Sequence, residues 1–255
     1  MNAIITEKQL ETLLTCVRQI GIELLRQWES IDRIEIKSDH TYVTSADLYA
    51  DKSLKSLLQG IKELPVYSEE DTNYGTIENC WLIDPIDGTA AFVAGIPTWA
   101  LSISLILNKK IEFGLIHFPV INKTIHSMMP SDQFNMVKLK ENFNLEDFIC
   151  VPSDVHSRYE ISFPGKVRSL GSCSSQIYYA VTGKACFSIL GKPQIWDFCA
   201  GIPMLAIAGG KLFYLNGDPV NVSRLIEKKQ KLSMPVIVGH NESIDGIIRM
   251  IKLKP

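Results

Sequence analysis

Two short apolar segments of this 255-residue chain each end in acidic residues. Glu69 follows the apolar residues 65–67, and Asp84 and Asp87 follow the apolar residues 81–83. Carboxylates that converge on one point repel each other unless a hard cation lies between them, and all-oxygen ligation suits Mg²⁺. The pattern therefore predicts a magnesium site at the ends of two strands.

The residues around Asp84 and Asp87 have the composition of a tight turn. Pro85 restricts the backbone of Asp84 to extended conformations, and Gly88 permits a sharp bend, so both carboxylates can point to one place. The amides of Gly88 and Thr89 offer donors to a phosphate oxygen at the start of a helix. Together these features indicate metal-assisted phosphoryl chemistry. Asp-Pro and Asp-Gly are also ordinary turn formers, so these residues alone leave a solvated turn open as an alternative.

Other catalytic patterns are absent from the sequence. Haloacid-dehalogenase phosphatases use two aspartates with one residue between them, whereas two residues separate Asp84 from Asp87. There is no G-x-S-x-G nucleophile motif and no H-x-x-x-H zinc spacing. The six cysteines form no C-x-x-C pair, so we expect reduced thiols rather than a disulfide framework or a zinc site.

Composition narrows the function classes further. The chain has 26 basic and 28 acidic residues, which is too balanced for a protein that binds a nucleic acid polymer through counterion release. Its apolar runs fall far short of the ~20 residues that a membrane span needs. Charged residues interrupt the N-terminal segment, so we expect no signal peptide, no membrane association and a cytoplasmic location.

The elements that position the acids follow from the periodicity of apolar residues. Thr6 and Gln9 have the spacing of a capping box, which predicts a helix with apolar residues at helical spacing as far as Trp28. Ser102 and Ser104 alternate with apolar residues, which predicts a half-buried strand. The other elements predicted in this half are a helix over residues 46–61, strands over 65–67 and 81–83, and a hairpin of residues 101–107 and 111–118.

The second half of the chain begins after residues 140–165, which we interpret as an irregular connection. Gly209 and Gly210 are expected to end a strongly apolar helix. The elements predicted beyond the connection are helices near residues 174–182 and 197–208, strands near 185–190, 211–215 and 235–238, and a closing helix. Mixed helices and strands of this kind predict a fold in which helices cover sheets.

Four motifs of the sequence resemble those of one family. In chain order they are V-T-x-A-D at residues 43–47, the Glu-Glu motif at 68–71, D-P-[IL]-D-G-T at 84–89 and W-D-x-x-A-G at 196–201. This set resembles the inositol monophosphatase superfamily of Mg²⁺-dependent, lithium-sensitive phosphatases, over about residues 5–240. The resemblance implies a layered αβαβα sandwich, with an N-terminal α+β half over residues 1–140 and a C-terminal α/β half over residues 141–255.

The resemblance also implies the metal ligands. Glu69, Asp84 and the backbone carbonyl of Ile86 would hold one Mg²⁺, and Asp84 would bridge to a second ion held with Asp87 and Asp197. Glu69 would hold a weaker third ion through water. The four ligand carboxylates carry a charge of −4, which two Mg²⁺ ions cancel, so the loaded site accepts a phosphate dianion.

The catalytic and substrate-binding residues are likewise implied by the family. Asp47 and Thr89 resemble the pair that orients the attacking water, and Glu69 completes the predicted catalytic set. Water would attack phosphorus in line without a phosphoenzyme, and Li⁺ would inhibit. The predicted substrate contacts are Asp87, Gly88, Thr89, Gly171, Ser172, Leu190 and Asp197.

The substrate is predicted from the residues at which the sequences of different branches of the family differ. Leu190 occupies the position where inositol-specific members usually carry an acid, and no Asp or Glu occurs over residues 184–196. The residues at 68–71 and 191–193 resemble the 3′(2′),5′-bisphosphate nucleotidase branch, although Ala90 and Ala91 replace its usual Lys-Glu. We therefore predict a 3′(2′)-phosphorylated adenosine nucleotide. The alternatives are inositol 1-phosphate, histidinol phosphate, or a catalytically inactive metal-binding relative.

Partners other than a small phosphate ester are not indicated by the sequence. Members of the family are often homodimers, which the sequence alone does not show.

Overall fold

A computed structural model describes residues 4–30, 34–37, 41–71, 75, 77–139, 143–228, 232 and 234–254. Its helices are α1 (Glu7–Glu29), α2 (Ser45–Ile61), α3 (Thr89–Val93), α4 (Val155–Arg158), α5 (Cys173–Val181), α6 (Ile195–Cys199), α7 (Ile202–Ile207), α8 (Val222–Lys228) and α9 (Ile244–Arg249). Its strands in the first half are β1 (Ile34–Ile36), β2 (Tyr42–Thr44), β3 (Val66–Ser68), β4 (Cys80–Asp87), β5 (Ala100–Leu107), β6 (Lys110–Phe118) and β7 (Lys123–His126). Those in the second half are β8 (Phe148–Val151), β9 (Tyr159–Ile161), β10 (Lys166–Ser169), β11 (Ser188–Leu190), β12 (Gly210–Tyr214), β13 (Val236–His240) and β14 (Ile251–Leu253).

The two long helices at the start of the chain begin at reciprocal caps. The capping box predicted from Thr6 and Gln9 is present at the start of α1. At the start of α2, Thr44 and Asp47 form a second capping box, which also fixes the Asp47 side chain. Each cap satisfies backbone N–H groups that have no partner inside the helix.

The first sheet has the strand order β3-β4-β5-β6-β7, with β3 parallel to β4 and the other pairs antiparallel. Helices α1 and α2 pack on one face of this sheet, and α6 and α7 pack on the other. Our prediction of a half-buried strand at residues 101–107 is wrong, because Ser102 and Ser104 are each 1% exposed. Ser102 Oγ donates to the Trp196 carbonyl oxygen at 3.3 Å, so the polar face of this strand is covered by α6.

The second sheet has the strand order β10-β8-β11-β13-β12. Residues 140–165 are not simply irregular, since β8 lies at 148–151 between two parallel partners. The single helix predicted at 197–208 is two helices, α6 and α7, with Pro203 in the first turn of the second. Proline lacks an N–H and clashes with the preceding turn, so it favours a new helix start over continuation.

Five layers result from this arrangement. Helices α5, α6 and α7 lie between the two sheets, and α9 packs on the far side of the second sheet. One apolar core lies between α1, α2 and the first sheet, a second between the two sheets, and a third beneath the outer face of the second sheet. The αβαβα sandwich is therefore confirmed, whereas the division at residue 140 stays a prediction. None of the described helices has both the length and the apolar character to cross a bilayer.

Candidate metal centre

A bulge in β4 brings the side chains of Asp84 and Asp87 to the same side of this strand. Residues three apart in a regular strand point to opposite faces. In β4 the register shifts, because Asp84 lies opposite Ser102 while Asp87 lies opposite Ala100. One extra residue is thus inserted where Pro85 removes a ladder donor, and the insertion turns Asp87 towards the Asp84 side.

Glu69 reaches Asp84 because β3 and β4 run parallel. Ser68, the last residue of β3, pairs with Ile83 of β4, and the Glu69 N–H donates to the Ile83 carbonyl at 3.2 Å. The residue that follows each member of this pair is therefore an acid, Glu69 or Asp84, and the two acids are neighbours.

Asp197 enters from the helical layer between the sheets. It lies in the first turn of α6, where its Oδ2 accepts a hydrogen bond from the Gln194 N–H at 2.8 Å. Carboxylate oxygens of Glu69, Asp84 and Asp197 all lie within 4.8 Å of one another. We call these three residues the acidic cluster.

Asp87 borders the cluster but faces a separate set of donors. Its carboxylate accepts hydrogen bonds from Ser172 Oγ at 2.6 Å, from the Cys173 N–H at 3.2 Å and from the Ser174 N–H. These donors lie at the start of α5, so Asp87 connects the two halves of the chain. Gly88 has φ +91°, and a Cβ there would lie 3.0 Å from both the Gly171 carbonyl oxygen and Ser172 Cβ, which explains why glycine is needed.

Asp47 and Thr89 form a hydrogen-bonded pair beside the cluster. Thr89 Oγ1 lies 3.1 Å from Asp47 Oδ1 and 3.1 Å from the backbone oxygen of Ile86. The other Asp47 oxygen accepts hydrogen bonds from the hydroxyl of Thr44 at 2.6 Å and its N–H at 2.7 Å. Asp47 is 1% exposed, so its position is fixed by these contacts.

The electrostatics of the site favour a cation. Burial, followed by the carboxylates of Glu69, Asp87 and Asp197, raises the pKa of Asp84 well above its ordinary range. Burial also raises the pKa values of Asp47, Glu69 and Asp87. Buried acids that share a site resist ionisation unless positive charge offsets them. The donors are all oxygen atoms, so the residues present fit a hard divalent cation.

The positive charge of Lys37 offsets part of the negative charge of these acids. The sequence did not indicate this role. Its Nζ lies 3.1 Å from Glu69 Oε1 and 2.8 Å from Glu70 Oε1. Burial lowers the pKa of Lys37, but the Glu69 and Glu70 carboxylates outweigh it and raise that pKa to about 12. A single lysine has no sequence signal for this role, because its partners lie more than 30 residues further along the chain.

We expect Lys37→Met to bind Mg²⁺ about two- to fivefold more tightly than the wild type, because a partly exposed ion pair that competes for Glu69 is lost. The same variant should melt at a lower temperature in EDTA, because the acids lose their counter-charge. Calorimetric titration with Mg²⁺ and thermal melts measure both effects. Lys55→Met is the matched control, since Lys55 pairs with Asp51 and Asp71 instead. Equal Mg²⁺ affinity in Lys37→Met and wild type would contradict the competition.

Without metal, the protein should lose stability as the pH rises from about 5 to 8. The folded acids have raised pKa values, so over this window the folded chain holds more protons than the unfolded chain. One pKa unit on one group corresponds to about 1.4 kcal/mol, or about 3–6 °C in Tm for a chain of this size. Melts in EDTA and in excess Mg²⁺ test this, because the cation favours the ionised acids and should flatten the slope. Parallel slopes in the two buffers would be the opposite result.

Two cavities meet at the acidic cluster. The acidic cavity has a volume of about 310 Å³, and its lining includes Glu69, Asp84, Gly88 and Thr89. The lateral cavity has a volume of about 230 Å³, and its lining is Asp87, Pro152, Ser153, Gly171, Ser172, Cys173, Gln176, Gly191, Lys192, Pro193 and Asp197. Asp87 and Asp197 line both cavities, so the two form one continuous cleft.

Most of the predicted substrate contacts line this cleft, and one does not. Gly171 and Ser172 lie in the wall of the lateral cavity. Leu190 is 0% exposed and packs in the core between the sheets. The prediction that Leu190 contacts the substrate is therefore wrong. β11 is a central strand of the second sheet, and its apolar side chains pack in the core. Lys192 and Pro193, just after Leu190 in the chain, line the cavity instead.

Known proteins were compared with the chain and its fold. The family model described as the inositol monophosphatase family matches residues 7–245. A fructose-1,6-bisphosphatase/inositol-1-monophosphatase of Thermotoga maritima is 26% identical over 228 residues, covering 84% of this chain and 87% of that protein. A 3′(2′),5′-bisphosphate nucleotidase of Aggregatibacter actinomycetemcomitans is 26% identical over 244 residues, covering 87% and 90%.

A similar fold is found among solved structures. The structure of a Thermotoga maritima IMPase superposes with a TM-score of 0.77 at 22% identity, covering 95% of this chain and 96% of that one. At 22% identity this match shows a similar fold and nothing about function.

Proposed function

The chain belongs to the inositol monophosphatase family, and on this basis we propose that it hydrolyses a 3′(2′)-phosphorylated adenosine nucleotide. At the coarser level it is a divalent-metal-dependent phosphoric monoester hydrolase that acts on small phosphate esters. The observation that carries the phosphatase activity is the convergence of Glu69, Asp84 and Asp197 within 4.8 Å beside the Asp47–Thr89 pair. The lining of the lateral cavity supports the choice of a nucleotide.

The metal ligands we propose are those that the family resemblance implies, and the convergence of Glu69, Asp84 and Asp197 supports them. Glu69, Asp84 and the Ile86 carbonyl would hold one Mg²⁺, and Asp84, Asp87 and Asp197 a second. A weaker third ion would be held by Glu69 through water, and Li⁺ would compete at the same acids. When bound, the cations offset the charge of the phosphate and acidify a water molecule.

The protein's own groups orient the attacking water. Thr89 Oγ1 has one proton and two acceptors at 3.1 Å, Asp47 Oδ1 and the Ile86 oxygen. With the Ile86 oxygen engaged by a cation, as proposed above, that proton goes to Asp47, which leaves the lone pairs of Thr89 Oγ1 as acceptors. A water that donates to Thr89 Oγ1 presents its oxygen to phosphorus. Burial raises the pKa of Asp47, which makes this carboxylate a better proton acceptor at neutral pH. Water adds to phosphorus as one of its protons passes through Thr89 Oγ1 to Asp47, and the P–O ester bond breaks. The alkoxide leaves as an alcohol with a proton taken from the solvent, and Asp47 then returns its proton to the solvent.

The lateral cavity supports a nucleotide more than a polyol. Among its lining residues, Asp87 and Asp197 are the acids, and both belong to the proposed metal site. Inositol hydroxyls would find no further carboxylate acceptor there, and an unpaired buried polar group costs about 1–3 kcal/mol. Lys192 instead places a positive charge on the cavity, beside the apolar surfaces of Pro152 and Pro193. That combination suits an anionic substrate with a flat base.

Phosphate release from a panel of esters tests the proposal. The panel holds 3′-phosphoadenosine 5′-phosphate, inositol 1-phosphate, histidinol phosphate and fructose 1,6-bisphosphate, each in Mg²⁺. We expect kcat/KM to be at least about tenfold higher for the nucleotide, a difference of about 1.4 kcal/mol in transition-state binding. Asp84→Asn purified in parallel controls for contaminating phosphatases. A tenfold preference for inositol 1-phosphate would overturn the nucleotide, and no release from any ester would favour the inactive relative.

A further inference from the structure

Helix α3 is only five residues long, so its position depends on its neighbours. Isolated helices shorter than about 12–15 residues are marginal in water, and a helix of this length is therefore held by packing and by hydrogen bonds at its ends. Its first residue is Thr89, whose hydroxyl lies 3.1 Å from Asp47 Oδ1. The contacts that fix the axis of α3 therefore also fix the Thr89 hydroxyl.

The first turn of α3 is held by the second half of the chain. Gly88, its N-cap residue, lies so close to Gly171 and Ser172 that a Cβ there would meet both at 3.0 Å. The Phe92 N–H donates to the Gly88 carbonyl oxygen at 2.9 Å, which closes the turn. These contacts hold one end of α3 but do not by themselves set the direction of its axis.

Trp28 holds the other end of α3. It lies in the last turn of α1, and its Nε1 donates to the Phe92 carbonyl oxygen at 2.8 Å. The last four carbonyl groups of a helix have no partner inside the helix, so a donor from another element can satisfy them and fix the helix end. The Trp28 indole is such a donor, and it ties α3 to a helix of 23 residues that packs on the first sheet.

Aromatic packing fixes the direction from which the indole approaches. The Trp28 and Trp99 rings make an edge contact with centroids 5.9 Å apart, and the Phe92 and Trp99 rings make another at 4.9 Å. Phe92 and Trp99 are fully buried, and Trp28 packs against the same apolar core. Edge contacts of this kind have a preferred geometry, so the three rings and the hydrogen bond together define one position for the end of α3.

We infer that Trp28 is a positioning residue of the proposed reaction, and that its indole N–H holds α3 so that the Thr89 hydroxyl stays against Asp47. The inference rests on the proposed function and adds to it a residue of α1 that does not line the cleft. Thr89 Oγ1 has contacts of 3.1 Å on two sides, to Asp47 and to the Ile86 oxygen, so a small rotation of α3 lengthens one of them. A misplacement of about 1 Å can lower turnover by about 10²-fold.

Turnover of Trp28→Phe tests the inference, with the ester of the panel that the wild type hydrolyses fastest. Phenylalanine keeps an aromatic ring but has no N–H, so we expect kcat to fall about tenfold, with KM changed by less than about threefold. Trp81→Phe is the matched control, because Trp81 Nε1 donates to the Lys62 carbonyl oxygen at 3.2 Å, at the opposite end of α2 from Asp47.

The control variant separates positioning from a loss of stability. Trp28→Phe and Trp81→Phe each lose one indole hydrogen bond to a backbone carbonyl, so both should melt at a somewhat lower temperature. Only Trp28→Phe should lose turnover, whereas Trp81→Phe should keep kcat within about twofold of the wild type. An unchanged kcat in Trp28→Phe, or an equal loss in both variants, would overturn the inference.

A double-mutant cycle with Thr89→Val shows whether Trp28 acts through Thr89. Once the Thr89 hydroxyl is absent, Trp28→Phe has no hydroxyl left to misplace, and its effect on kcat should shrink to less than about twofold. The full loss in the Thr89→Val background would mean that Trp28 acts on another part of the site, and the inference would be wrong.

Amide hydrogen exchange provides a measurement that does not depend on turnover. Peptides that cover residues 89–96 should exchange about tenfold faster in Trp28→Phe than in the wild type, and at an unchanged rate in Trp81→Phe. Equal exchange in all three proteins would contradict the inference whatever the turnover. If the wild type hydrolyses no ester, the proposed function fails and the positioning role fails with it. If the wild type is active and the variants do not differ, only the inference fails.

Discussion

Asp84→Asn is expected to lower kcat by about 10²–10³-fold while leaving the metal-free protein at least as stable as the wild type. Asp84 is the acid that both proposed metal positions share, and loss of one group that stabilises transition-state charge typically costs 10²–10³-fold. In EDTA the same change removes a buried carboxylate whose pKa burial and the neighbouring Glu69 raise well above its ordinary range. The variant should therefore unfold at an equal or higher temperature at pH 8.

Thermal melts with and without Mg²⁺ complete the test of Asp84→Asn. A ligand at 100 times its Kd stabilises the native state by about 2.7 kcal/mol, which is roughly 5–10 °C for a chain of this size. We expect that shift in the wild type and little of it in the variant. Asp132→Asn, at an exposed position, is the control for removing one acid. A kcat within tenfold of the wild type would contradict the role of Asp84, and equal melting temperatures in EDTA and Mg²⁺ for the wild type would contradict a shared metal site.

Thr89→Val is expected to lower kcat by about 10²–10⁴-fold, the range for removal of a group that acts in proton transfer. Valine keeps the shape of threonine but lacks the hydroxyl that contacts Asp47 Oδ1 at 3.1 Å. KM should change by less than about threefold, because Thr89 Oγ1 is proposed to orient water rather than to hold the ester.

Thr89→Ser is the matched variant and should keep activity within about tenfold of the wild type, because it retains the hydroxyl. The Mg²⁺-induced shift in Tm should survive in both variants, since no side-chain oxygen of Thr89 is a proposed metal ligand. A loss of that shift in Thr89→Val would mean that the substitution disturbs the acidic cluster. Full activity in Thr89→Val would exclude the Asp47–Thr89 pair from the reaction.

Local signals in the sequence account for the parts of the fold that we predicted correctly. The Thr6–Gln9 capping box and the apolar face that follows it are sufficient to predict α1, because both depend on residues within one helix. The acidic ends of β3 and β4 were likewise readable, since each lies directly after its own apolar segment. The resemblance of the W-D motif to the family then predicted that Asp197, more than 100 residues further along the chain, belongs to the same site.

Tertiary contacts explain the predictions that were wrong. Ser102 gave the pattern of a solvated face, yet α6 covers that face, and the Trp196 carbonyl oxygen accepts a hydrogen bond from the Ser102 hydroxyl. Leu190 was assigned to substrate from its distance to a motif, whereas a central strand uses it for packing. The four apolar residues of β8 are too few to show a period of two, so only pairing with β10 and β11 makes this strand recognisable. Lys37 was missed because no periodicity links it to Glu69.

The hydrogen bonds of Asp87 set a lower limit on when the site can be complete during synthesis of the chain. Its three donors lie 85 to 87 residues further along the chain. At about 5–20 residues per second, a ribosome needs roughly 4–17 s to add a segment of that length. Throughout this interval Asp87 has none of its native donors from the start of α5, and the inner face of the first sheet has no helical layer to cover it. Asp197 is translated later still. The nascent chain therefore cannot hydrolyse its substrate until its second half has been made and packed against the first.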